Sequence, residues 1–544
     1  MGPYSILLDC GLADIEPLRQ EAADFVFCSH AHTDHIRGLL SLHRTFPHLP
    51  IFSSDITARL LPINWPGQED NRFCRALPWR TAVELAPGLS VQLWPAGHLP
   101  GAACFLLSYK TPQRTYSVFY GGDCFLSNGR LVDGMPLAEL RNLKPDVLII
   151  EGSYGTERHP HRKQQENYLV ARLGEALANH GRAVFPSPLL GLGQELLMLV
   201  RSHHHFTGQP LDIWVDPWVA MGCDAYLGCL SAMPTTVQNF AQHQPLFWDE
   251  RVLPRVRRLE SGISPADVRT SSDPAIFIVH PATHPLSYCQ SDDPAEWTVF
   301  VPDIDDIPRW QDQIVSQSST RLSPWAEFDW LDAMQAATAT GTTGIEHYML
   351  TSHSDVGGTT QLIHNLRPQH VIFVHGQPQQ LSNLANLDDL QSRYQLHLPT
   401  AAQPIDLPLA DSFWQPAPPH DTLYEGELEA TRERITLTLP TSLESDPRWN
   451  QLADTGIIEA SWQGDHLVIR GLTQQELMRG TLRKASRSSF TDSGSTVQTC
   501  YYCRHLRGQR CRNPDSPLVG LQVTSDGTCA VFERSSSILR QLQS

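Results

Sequence analysis

Three histidines and an aspartate fall within six residues at His30-Ala31-His32-Thr33-Asp34-His35, directly after the apolar run DFVFCS. Neutral imidazole and carboxylate are standard donors for zinc and similar divalent ions, so this spacing gathers several metal-capable side chains around one loop. Four ligands in one loop cannot complete two metal spheres, so others must come from distant parts of the chain. Such residues should end strands and sit beside glycine, which lets the backbone approach closely. His98 in WPAGHLPGA, Asp123 in VFYGGDC, His353 in MLTSHSDVGG and His375 in IFVHG all qualify. Taken singly, each reads first as an ordinary core or loop residue; the early cluster makes them its complement.

A second constellation lies near the C-terminus. Cys500, Cys503, Cys511 and Cys529 follow the pattern C-x2-C-x7-C-x17-C, with Gly508 and Gly527 nearby. This suits a tetrahedral thiolate site holding one structural zinc ion, with His505 able to replace a thiolate. An iron–sulfur cluster, disulfides or unbound thiols are the competing readings. From Arg479 to Arg512, eight basic residues are opposed only by Asp492. Within that stretch Arg504, Arg507, Arg510 and Arg512, with Tyr501 and Tyr502, form a candidate surface for single-stranded RNA, and a solvated tail is the plainer alternative.

The elements that must position these groups are legible in outline. SILLDCG, DFVFCSH, LSVQLWPAGH, CFLLSY, SVFYGGD and DVLIIEG read as short strands, several ending in His, Asp or Glu. Leu169, Leu173 and Leu177 mark a helix from about Gln164 to His180, followed by the strand RAVFPSP and the helical QELLMLVRS. Alternating strand and helix predicts an α/β architecture. Further strands are expected at AIFIVH, EHYMLTSH and HVIFVHG, and a Pro/Ala-rich linker at 399–420. RITLTL and DHLVIRGL imply a small domain at 421–480, and the Ser/Thr-rich 486–499 leads into the cysteine module at 498–535.

At 544 residues the chain exceeds one ordinary core, and two to four domains are expected. With 41% hydrophobic and 18% charged residues and a formal charge of −17, it reads as a soluble globular protein. No apolar run reaches the roughly 18–20 residues a membrane helix needs. The first residues enter a strand at once, leaving no room for a signal peptide, and the other eight cysteines are scattered among apolar neighbours. A cytoplasmic protein without membrane partners is the expectation.

HAHTDH, the downstream AGH, YGGD and the leading LLDCG resemble the metallo-β-lactamase superfamily. IIEGSYGT, LGLGQE, TSHSD and VHG resemble its β-CASP branch of nucleic-acid-processing nucleases, in the family's order over about residues 5–380. The resemblance implies an αββα sandwich, 1–180 and 346–410, interrupted by a β-CASP domain at 181–345. It implies two zinc ions, one held by His30, His32, His98 and Asp123, the other by Asp34, His35, Asp123 and His375. Asp123 would bridge and Asp9 would support the ligand loop. Glu151 would orient His353, which protonates a leaving group; these two and Asp34 are the expected catalytic groups. Histidine at 375 resembles the RNA-acting members, whereas DNA-repair members typically carry valine. A cytoplasmic two-zinc ribonuclease, more akin to the endonucleases than to ribonuclease J, is therefore expected. The competing readings are a hydrolase of a small ester or thioester and a non-catalytic RNA-binding scaffold. Three departures from the family stand out: only Met1 to Tyr4 precede the first strand, Leu192 stands where relatives often have arginine, and FIVHPATHPLSY replaces a glycine-rich loop.

Overall fold

The computed structural model describes residues 1–409 except 20–22, 142, 260–273, 284, 286–287, 289–296, 303–343 and 402, then 427–430, 435–438, 458–463, 466–471 and parts of 500–533. Two compact units divide it, Met1–Leu423 and Tyr424–Ser544. Among the described residues no helix is long and apolar enough to cross a membrane.

The first unit begins with an all-parallel sheet of β1 (Ile6–Leu8), β2 (Phe25–Phe27), β3 (Ile51–Ser54) and β4 (Arg75–Leu77), in that order. An antiparallel meander follows: β5 (Val83–Ala86), β6 (Leu89–Pro95), β7 (Ala103–Lys110) and β8 (Thr115–Tyr120). β9 (Val147–Glu151) then lies parallel to β8. The chain next builds a separate all-parallel sheet from β10 (Arg182–Pro186), β11 (Asp212–Val215), β12 (Arg255–Arg258), β13 (Ala275–Val279), β14 (Trp297–Pro302) and β15 (Gly344–Tyr348). Its order is β12-β11-β13-β10-β14-β15. Finally β16 (His370–Val374) pairs with β9, His370 opposite Val147 and Val374 opposite Glu151, and β17 (Gln395–His397) completes a seven-stranded sheet. The six-stranded sheet is thus inserted between two strands, β9 and β16, that are neighbours.

Period-two patterning explains the packing. Along β6 the residues Leu89, Val91 and Leu93 are buried and alternate with Ser90 and Gln92. They face Phe27, Phe52 and Leu77 of the four-stranded sheet, with Phe105 of β7 set 5.2 Å from Phe27. Each such side chain contributes roughly 1.5–3 kcal/mol on burial. β9 (VLIIE) and β16 (HVIFV) are nearly continuous apolar runs because both of their faces are covered. Helices pack outside: Ile56 and Leu60 on the four-stranded sheet, and Leu362, Ile363 and Leu366 on the seven-stranded one.

In the second unit three antiparallel hairpins are described: Glu427–Ala430 with Ile435–Thr438, Ile458–Gln463 with His466–Gly471, and Leu506–Arg507 with Arg510–Cys511. RITLTL and DHLVIRGL each supply a strand of one. Most of the expected linker, the segment 486–499 and Cys529 lie outside the described residues. Cys500 and Cys511 are buried with Leu518 and Val523, and the Cys503 N–H donates to the Cys500 carbonyl at 3.0 Å. Arg504, Arg507, Arg510 and Arg512 are exposed, with Arg504 ion-paired to Glu533.

Candidate metal centre

The chemistry-bearing residues sit where strands end. His30 lies three residues beyond β2, His98 three beyond β6 and Asp123 three beyond β8; Glu151 closes β9, and His375 directly follows β16. The turn after β1 cradles the HAHTDH loop, the Cys10 N–H donating to the His35 carbonyl at 2.8 Å. At Gly11 a Cβ would stand 1.6 Å from the Asp34 carbonyl oxygen, so the loop tolerates only glycine beneath it. At Gly122, with φ +57°, a Cβ would meet the Ser29 side chain at 2.8 Å.

Asp9 organises the loop from below. One carboxylate oxygen accepts the Ser29 N–H at 2.6 Å; the other accepts the Ser29 hydroxyl at 2.7 Å, the Tyr120 hydroxyl at 2.6 Å and His35 Nδ1–H at 2.7 Å. That bond turns His35 Nε2 toward Asp123 Oδ2, 3.2 Å away. The same logic recurs. His98 donates Nδ1–H to the Ser352 carbonyl at 3.0 Å and presents Nε2, 3.1 Å from His32 Nδ1; the His32 Nε2 lies 3.4 Å from the Leu190 carbonyl. Each ring spends one nitrogen on the protein and aims the other inward.

Donor atoms of His30, His32, His98 and Asp123 all lie within 4.8 Å of one another, as do those of Asp34, His35 and His375. His30 Nε2, Asp34 Oδ1, His35 Nε2 and Asp123 Oδ1 are buried with no hydrogen-bond partner. Buried polar atoms are normally satisfied, so this many together fit the lone-pair demand of divalent cations held by nitrogen and oxygen. His375 adopts φ +50°, a strained conformation for a non-glycine residue. Its Nε2 stands 3.2 Å from Asp34 and its Nδ1 3.9 Å from Asp123.

Beside the donors, His353 Nδ1–H donates to Glu151 at 2.7 Å, and the other Glu151 oxygen accepts the Cys124 N–H at 2.6 Å. The Ser153 hydroxyl also donates to Glu151 and lies 3.0 Å from His375 Nδ1. The His353 ring stands 4.5 Å from His98 and parallel to His375 at 5.9 Å.

Charge balance shapes the titration. Burial works against charge on His353, but Glu151 outweighs it and holds the ring at about 9. For His375 burial is likewise overcome, by Asp123 and the bond to Asp34, and its pKa rises to about 10. Burial pushes the Asp34 carboxyl up, yet His35 and His375 bring it down to about 2. His30 and His98 are pulled well below the usual imidazole range by burial. The clustered carboxylates demand positive charge, which protons supply in the bare protein and a metal would supply by displacing them.

A cleft at the donors is lined by His32, Asp34, His98, Asp123 and His353 together with Leu99, Leu131, Leu190, Leu192 and Leu350. Arg162 and Glu195 also line it, their side chains bonded to each other at 2.8 Å. The sequence alone assigns no role to Ser29, Tyr120, Ser153, Arg162 and Glu195. Ser29 adjoins His30, and Tyr120, Ser153 and Glu195 lie within YGGD, IIEGSYGT and LGLGQE, so motif context marks these four; Arg162 carries no local signal. The Cys500, Cys503 and Cys511 sulfurs form no ligand group among the described residues.

Residues 4–183 match the beta-lactamase superfamily domain, and residues 342–390 match the Zn-dependent metallo-hydrolase RNA specificity domain. The chain is 45% identical, over 99% of its length, to an uncharacterized protein of Synechocystis and covers 94% of that protein. It is 29% identical to "Probable RNase MJ4" of Methanocaldococcus jannaschii, across 37% of this chain and 51% of that protein. It is 22% identical to endoribonuclease YSH1 of Mycosarcoma maydis, across 72% of this chain and 46% of that protein. The chain therefore spans about half the length of these two ribonuclease relatives.

Proposed function

Because this chain belongs to the metallo-β-lactamase superfamily, in its β-CASP branch of RNA-processing nucleases, we propose that it is a two-zinc ribonuclease cutting internal phosphodiester bonds of RNA. The observation that carries this reading is the adjacency of two things. Buried donor atoms without partners converge on one spot, and a carboxylate-bound histidine stands beside them.

His30, His32, His98 and Asp123 would hold the first ion, and Asp34, His35, His375 and Asp123 the second. Bound there, zinc supplies Lewis acidity, making water nucleophilic at neutral pH and neutralising charge on the phosphate oxygens. Asp9 keeps the ligand loop and the His35 tautomer fixed. Glu151 holds His353 by Nδ1, which leaves Nε2 to deliver a proton to the departing ribose oxygen. In the metal-free protein burial works against that proton and Glu151 outweighs it, raising the His353 pKa to about 9. The leucines that line the cleft would give a nucleoside an uncharged surface to lie against.

The same reading assigns residues 1–180 and 346–410 to the metallo-β-lactamase domain, 181–345 to the β-CASP domain, 421–480 to a small domain and 498–535 to a zinc-bearing module. In that module Cys500, Cys503, Cys511 and Cys529 bind the ion, and the four exposed arginines offer phosphate contacts. Purified protein tested on RNA, single-stranded DNA and a chromogenic phosphodiester should prefer RNA, with activity lost to a chelator and restored by zinc. RNA binding without cleavage in metal-replete protein would instead mark a scaffold.

A further inference from the structure

Arg162 is nearly inaccessible to solvent, yet its guanidinium joins segments from three parts of the chain. Nη1 donates to the Thr351 carbonyl at 2.7 Å, Nη2 donates to Glu195 at 2.8 Å, and Nε lies 3.5 Å from Glu166. Glu195 also accepts the backbone N–H groups of Arg130 at 2.9 Å and Leu131 at 2.8 Å, and Arg130 grips Glu166 through two further bonds. The Arg162 guanidinium thus lies between two carboxylates, Glu195 and Glu166, while Arg130 pairs with Glu166 through its side chain and reaches Glu195 through its backbone N–H. The opposite side of Thr351 is fixed as well, its N–H donating to Gln165 at 3.3 Å. The Thr351 hydroxyl in turn accepts the His353 N–H at 3.1 Å.

Topology gives this arrangement its meaning. Arg162 opens the helix Arg162–His180, where the chain enters the six-stranded sheet; Thr351 lies where the chain leaves it after β15. Glu195 is in the first turn of the helix Leu192–Ser202, preceded by Leu190, whose carbonyl faces His32. Any shift of the inserted sheet against the sandwich must therefore act on this guanidinium, which bears on the His353 loop and the His32 contact together.

We propose that Arg162 is a positioning residue: its fork, braced by Glu195, fixes the Thr351 carbonyl and so seats His353 against Glu151. This rests on reading His353 as the proton donor. A planar fork makes two directed bonds that lysine cannot reproduce, which separates geometry from charge.

The test uses the full chain carrying Arg162→Lys, assayed on RNA. kcat should fall about 10- to 100-fold, as small misplacements of a reacting group do. KM should change less than about twofold and metal content should match the parent. The downfield proton resonance of the His353–Glu151 bond, assigned by its loss in His353→Ala, should shift or broaden. Should Arg162→Lys fail to fold, the paired Arg162→Gln/Glu195→Gln variant, which removes both charges together, takes its place with the same readouts. Unchanged kcat with an unchanged resonance overturns the proposal, as does a higher KM at constant kcat, or a kcat loss that follows metal loss. A parent protein that leaves RNA intact while the resonance still shifts in Arg162→Lys defeats the ribonuclease reading and supports the positioning role.

Discussion

His353 and Asp9 make different bonds, and the roles proposed for them should separate cleanly on substitution. Removing His353 takes away the proposed proton donor without touching the orphaned donor atoms, so His353→Ala should lower kcat by about 10²- to 10⁴-fold with the proposed pair of active-site metals retained. Unchanged turnover, measured beside metal content, would eliminate it as the acid. Asp9 accepts bonds from Ser29, Tyr120 and His35. In Asp9→Asn an amide N–H must face one of those donors, and chelator competition should show metal affinity weakened by about 10- to 100-fold. Affinity equal to the parent would show that the loop holds itself. At this scale the sequence was readable wherever chemistry was contiguous or flanked by glycine, as in HAHTDH, YGGD and VHG. Tyr120 and Glu195 lie inside YGGD and LGLGQE, yet their roles were not readable, because the partners that define them are distant in sequence: Asp9 is 111 residues from Tyr120 and Arg162 is 33 from Glu195.

Strand ends and tight turns set the geometry, so element-scale changes should dismantle the whole donor set. Gly11→Ala forces a methyl group onto the Asp34 carbonyl and should release both active-site metals together, readable by elemental analysis of folded protein. Retention of both would mean the turn can shift. The chelator-stripped protein should also show a stability maximum near neutral pH. His353 and His375 have pKa values of about 9 and about 10, above their unfolded values. Their contribution is complete below an unfolded pKa of about 6.5 and is lost as pH rises through 9 and 10. His30 and His98, buried in neutral form, act the opposite way and cost stability as pH falls below that value. Urea titrations across this range would check both limbs, and stability that rises toward pH 10 would contradict the assignment. Among the elements, β6 to β10, β13 and β16 were visible as apolar runs. β11 (DIWV) and β12 (RVRR) were not: four residues give too little periodicity, and RVRR reaches its place through ion pairs with Asp212, Asp224 and Glu250.

At the scale of the molecule, the order of the chain is what assembles the centre. Because the six-stranded sheet is inserted between β9 and β16, Glu151 at the end of one and His375 after the other become neighbours across more than 200 intervening residues. The motif order in the sequence foretold that convergence; how the loops before and after the insertion lock together did not follow from it, since Arg162 looks like any helix-opening arginine. The C-terminal cysteines call for a separate count. A version ending near residue 485 should lose one metal equivalent and keep two, and loss of none would leave the cysteines without an ion. The most direct test of the central claim is incubation of metal-replete protein with a circular RNA, which offers no ends. A two-zinc endonuclease should open the circle, a chelator should stop the cutting and added zinc should restore it. A circle that is bound but never opened, with two metals in place, would contradict it.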